Sequence, residues 1–207
     1  MMTVAELMEM DPYTAQEASG AVDKNDLPLI VGYLKDKDKN VRSKALLLLK
    51  NRSLNNADVY PFWNVFREML KSEDHEQRVA GIILISVNTR WDVGNRIEDT
   101  IDEYLLCLKD KNPGIVQQCI QSLHGIIPYK KHLRGYIAES LISVEIPDFK
   151  ETMQKPVLLD ILDVLIEIRK GLYPDEVEQY ISMALAGNLL DQEDKKQIKS
   201  KMGYTQF

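Results

Sequence analysis

The sequence predicts an all-α protein built from roughly five stacked antiparallel helix pairs, and three observations carry that reading. First, a segment returns in order. Leu34, Asp38, Arg42, Ala45 and Leu49 reappear 36 residues later as Leu70, Asp74, Arg78, Gly81 and Ile85. An offset of 74 turns Leu34-Lys35-Asp36-Lys37, Val41, Ala45 and Leu49 into Leu108-Lys109-Asp110-Lys111, Ile115, Cys119 and Leu123. Second, apolar residues recur at helical spacing between the turns. Third, the chain has helix start and stop signals throughout and no β alternation long enough for a strand.

Each element follows from its local chemistry. Asp11-Pro12 reads as N-cap and first residue of an early helix, because the missing proline N–H would have no partner in a first turn. Asn25-Asp26 caps a helix over Leu27 to Lys35, Asp38-Lys39-Asn40 makes a turn, and Val41 to Arg52 forms the partner helix. Val41, Ala45, Leu48 and Leu49 share one face of it. Leu46 and Leu47 widen that stripe over most of the circumference, as expected for an inner helix covered on more than one side.

A second pair spans Asp58 to Asn88, with Lys71 to Asp74 as its turn. A third spans Asn95 or Arg96 to Ile127, with Asn112-Pro113 as cap and helix start. The fourth has a break from Val144 to Lys155, after which Pro156 opens a helix over Val157 to Lys170, and Gly171 provides a stop. The fifth runs from Pro174 to Ala186, with Gly187 behind it, and then from Asp191 to Met202. This last helix is rich in lysine and glutamine, as suits a terminal cap.

Composition narrows the function classes. The chain has 207 residues, 44% apolar and 28% charged, which is globular composition with ample core. No apolar run approaches the ~20 residues of a membrane span. The start, Met-Met-Thr-Val-Ala-Glu, has no basic and apolar stretches of a secretory signal. Two cysteines, Cys107 and Cys119, lie in apolar patterns and read as buried thiols, so a cytoplasmic location is expected. The net charge of −6 disfavours generic binding to phosphate backbones. His75, His124 and His132 lack metal-ligand spacing, and no phosphate loop or nucleophile elbow is present. No catalytic apparatus, cofactor or metal is expected.

The first unit, with Pro28 early in its first helix, Asp38 in the turn, Val41-Arg42 opening the second helix, then Ala45 and Leu49, resembles the HEAT-repeat pattern. The second unit keeps Asp74 and Arg78, and the third keeps the apolar positions. The Trp-x-x-Leu-Gly signature of tetratricopeptide repeats is absent. The resemblance implies a single armadillo-type domain over 1–207, a right-handed α-α superhelix with a concave face lined by the second helices. Residues 1–25 would be N-terminal capping helices, 26–170 four repeat units and 171–207 a C-terminal capping pair. It implies a non-catalytic scaffold or adaptor that binds a protein partner.

Candidate contact residues are those that differ between copies. The exposed row of the second helices runs Lys44, Ala80, Gln118 and Gln121, then Asp160 and Asp163, with Glu167 a turn on; Gln117 stands beside it. The stretch 148–194 holds 11 acidic against 4 basic side chains. Read sharply, Gln117, Gln118, Gln121, Asp160, Asp163 and Glu167 form a groove that accepts a basic peptide; read plainly, they are a solvated face. Lys130, Lys131 and Arg134, within the basic segment Tyr129 to Tyr136, either meet an acidic partner surface or sit in solvent between units. Trp91 is a recognition residue or a wedge between two units. Arg42 and Arg78 form a basic ladder or tie units together through the turns. The alternative function is an enzyme resembling HEAT-like DNA alkylation-repair glycosylases, for which Trp91 and Asp92 would supply the aromatic–acid pair.

Overall fold

A computed structural model of the chain describes residues 2–9, 15–170 and 175–203. Among them there are twelve α-helices and no strand. The helices are α1 (Val4–Glu9), α2 (Ala15–Ala21), α3 (Leu27–Tyr33), α4 (Lys39–Asn55), α5 (Trp63–Met69), α6 (His75–Asn88), α7 (Ile101–Leu105), α8 (Pro113–Ser122), α9 (Arg134–Ile142), α10 (Glu151–Arg169), α11 (Asp175–Ala186) and α12 (Gln192–Lys201). None is long and apolar enough to cross a membrane. Tight 3-10 turns occupy places where the sequence pattern suggested continuous helix, notably Ala57–Phe62 and Leu106–Lys109. The Asp11-Pro12 start, the Gly171 stop and Pro174 lie outside the described residues.

The chain divides into two compact units, Met1–Tyr104 and Leu105–Phe207. In the first, α4 is the organising helix, packed by α1, α2, α3 and α6, while α5 packs on α6. Its Val41, Ala45, Leu48 and Leu49 are at most 2% exposed, so the sequence stripe is the core face. Asp38 is the N-cap of α4 rather than mid-turn. Its carboxylate accepts from Asn40 N at 2.8 Å, and it satisfies a donor that the first turn cannot. Asp74 does the same for α6 through Glu76 N at 2.8 Å. Asp26 departs from expectation: it makes no side-chain cap on α3, and its carboxylate instead accepts from Met2 N at 2.8 Å.

Gly81 lets α5 and α6 approach closely. A Cβ there would lie 2.7 Å from the Phe66 carbonyl oxygen. The position is small in the first three copies, as Ala45, Gly81 and Cys119, whereas the fourth carries Ile161.

In the second unit α10 is central, in contact with α8, α9, α11 and α12. Its Val157, Ile161, Val164, Leu165 and Ile168 are fully buried. Asn112 caps α8 through Gly114 N at 3.0 Å, with Pro113 first in the helix. The α10 start corrects the sequence reading: the helix begins at Glu151, so Pro156 lies inside it. As the sixth residue it lies past the first turn, and it removes one backbone hydrogen bond, to the Thr152 carbonyl, from the second. Asp191 and Asp194 form a reciprocal capping box at α12.

Candidate functional site

The first unit engages its charged groups in holding helix pairs together. Arg42 donates through Nη1 to the carbonyls of Asp36 (2.8 Å) and Lys37 (3.1 Å). Arg78 repeats this on Ser72 (2.7 Å) and Glu73 (3.0 Å). In both, an arginine in the first turn of the second helix satisfies carbonyls left open in the preceding turn. Arg42 also binds Glu76 of the next pair, which holds that carboxylate below and the guanidinium above their ordinary values. Arg67 reaches Glu103 through two bonds of 2.9 and 2.8 Å, and Lys71 lies 3.0 Å away. Chiefly through the Arg67 bonds, Glu103 is drawn down to about 2. Arg42 and Arg67 therefore tie successive helix pairs together within the first unit, while Arg78 closes the turn of its own pair.

Trp91 is half-buried, and its Nε1 donates to the Ser53 carbonyl at 2.7 Å, the geometry of a wedge. Asp92 is 4% exposed. It accepts from Tyr60 Oη at 2.7 Å, Arg96 N at 2.8 Å and Ile97 N at 3.1 Å. Burial, together with this carboxylate, pushes the Tyr60 phenol up to about 12. The aromatic–acid pair of the glycosylase alternative is thus an anchor for its own loop, where Asn95 takes a left-handed φ of 56°.

The second unit brings two of the sequence-nominated groups to one place. An open groove of about 690 Å³ has Lys131 and Arg134 on one wall and Asp163 and Glu167 of α10 on the other. His124, Lys170 and Lys201 complete its charged lining, with Ile166 and Pro128 as apolar patches. Lys131 and Arg134 arrive at the 3-10 turn Lys131–Leu133 and the start of α9. Asp163 and Glu167 share one face of α10, Lys170 follows as its C-cap residue, and Lys201 closes α12.

The acidic row is engaged by side chains of its own unit. Asp160 accepts from Gln117 Nε2 at 2.8 Å and from Gln121 Nε2 at 3.1 Å. Asp163 is held by Lys201 Nζ at 2.6 and 2.9 Å. Glu167 meets His124 Nδ1. Gln118 turns to Ser122 Oγ on its own helix at 2.9 Å. Ala80, expected in the exposed row, is 3% exposed: it lines a small cavity with Leu34, Leu46 and the Arg42–Glu76 pair. Lys130 is 4% exposed and does not line the groove.

Sequence reasoning missed His124, Lys170 and Lys201 as groove residues. Helical spacing from Asp163 and Glu167 could have found Lys170. Lys201 carries no such signal, because its place depends on how α12 packs on α10. Among the described residues, no group of three or more His, Cys, Asp or Glu side chains is placed to hold a metal ion. No protein-family model matches the chain, and comparison with curated proteins returns no match.

Proposed function

We propose that this protein is a non-catalytic scaffold of HEAT-like helical repeats, stacked as a right-handed superhelix, that binds a protein or peptide partner in the cytoplasm. The groove of the second unit carries the reading. It is open and lined by charged side chains from non-consecutive elements, a surface suited to complementary charge rather than to enclosing a reacting centre. The repeat part of the reading is supported by the matching arginine clamps of Arg42 and Arg78. It is supported also by bonds that link residues about one repeat apart, such as Arg67 to Glu103 and Trp91 to Ser53. Cys107 and Cys119, buried and not joined in a disulfide, accord with a reducing compartment.

Selection of a displayed random-peptide library on the full chain tests the function, followed by calorimetric titration of enriched peptides and of a labelled DNA duplex. Reproducible enrichment of peptides that bind in solution is expected. Failure to enrich any peptide, or duplex binding tighter than every peptide with an affinity that falls steeply with salt, would overturn the scaffold reading.

A further inference from the structure

We infer that the groove of the second unit docks an acidic segment of the partner, whose carboxylates meet Lys131, Lys170 and Arg134. This rests on the scaffold reading and adds the chemistry of what it binds. The groove holds four permanent cations, Lys131, Arg134, Lys170 and Lys201, against two carboxylates, Asp163 and Glu167. Both carboxylates are already engaged: Asp163 by Lys201 and Glu167 by His124. That leaves Lys131 and Lys170, both exposed, with no acidic partner among the described residues. Among the described residues Arg134 donates through Nε to the Ile127 carbonyl at 3.3 Å, which leaves its terminal amino groups for a bidentate contact with a carboxylate.

The excess of positive charge lies on a chain of net charge −6, so it is a local feature and not part of a general basic field. Two alternatives fit less well. Small-molecule sites enclose most of their ligand in apolar walls, whereas this groove is open and its apolar lining is Ile166 and Pro128. A nucleic-acid backbone carries charge at every nucleotide and would run beyond the groove, in a unit whose α11 and α12 begin with Asp175, Glu176, Glu178, Glu193 and Asp194. A short acidic peptide matches the limited cationic cluster.

Fluorescence anisotropy on the full chain tests this with three labelled peptides of equal length and matched apolar content, carrying net charges of about −4, 0 and +4. A labelled oligonucleotide forms a fourth arm. The acidic peptide is expected to bind tightest and to weaken as salt rises. Lys131→Glu with Lys170→Glu should weaken it about tenfold, and the two glutamine substitutions by about threefold, on the scale of exposed ion pairs. Lys35→Glu with Lys37→Glu, the same charge change on exposed residues of the first unit, should leave it unchanged. Melting temperatures of all variants should stay near wild type.

Equal weakening by both pairs of glutamates would overturn the inference, because it would show that only net charge matters. So would tighter binding of the neutral or basic peptide, which would leave the scaffold reading intact, or tighter binding of the oligonucleotide. Absence of binding by every peptide would overturn both readings.

Discussion

Replacing Gly81 by alanine sets two known effects against each other at one atom. In an unobstructed helix interior, alanine is favoured over glycine by about 1 kcal/mol. At Gly81 the added Cβ would lie 2.7 Å from Phe66 O, 3.1 Å from Leu70 N and 3.1 Å from Met69 Cβ. Unstrained contacts to carbon lie at about 3.5–4.0 Å. Two of the three obstacles are backbone atoms, so relief requires α5 and α6 to move apart, and overpacking of this kind costs about 1–3 kcal/mol. With the contact this short, a net loss of about 1–2 kcal/mol is expected, or about 2–8 °C in Tm for a chain of this size. Thermal denaturation followed by circular dichroism measures it. Gly32→Ala is the control: nothing lies within 4 Å of its added Cβ, so it should melt at or slightly above wild type. A Gly81→Ala protein that melts at or above wild type would refute the close-packing argument.

Three further outcomes are expected. Arg52 is 8% exposed and binds Asp58 (2.7 Å) and the Ser19 and Gly20 carbonyls (2.8 and 3.0 Å). Arg52→Leu leaves all three acceptors unpaired, and urea unfolding should show a loss of about 3 kcal/mol. Glu103 is held near 2, below its ordinary 4.5, chiefly by Arg67. Its contribution to stability is therefore full above about pH 4.5 and is lost as pH falls from there toward 2. Acid titration of Tm should be flatter in that window for Glu103→Gln. Cys107 and Cys119 are 5% and 0% exposed, and burial pushes the Cys119 thiol well up. A thiol-specific chromogenic reagent should leave both unmodified in the native protein and label both in denaturant.

Much of the fold was legible because periodicity and caps are local signals. The stripe of α4 became its core face, and Asn112 capped its helix as the sequence implied. Local rules failed where a competing partner lay far away in the chain. Asp26 turned from its own helix to Met2 N. Pro156 misled for another reason: α10 tolerates it as a sixth residue, where local rules make proline a helix start. The candidate site was half legible for the first of these reasons. Spacing placed Asp160, Asp163 and Glu167 on one face of α10. It could not show that Gln117, Lys201 and His124 would bind them, because long side chains from separate elements met only after packing.

Residue-resolved NMR mapping on the full chain, titrated with the acidic peptide, tests the central claim most directly. Shift changes concentrated at His124, Lys131, Arg134, Lys170 and Lys201, saturating with one peptide per chain, are expected. Saturable shifts confined to 1–104, or dispersed over both units without saturation, would contradict a docking groove in the second unit.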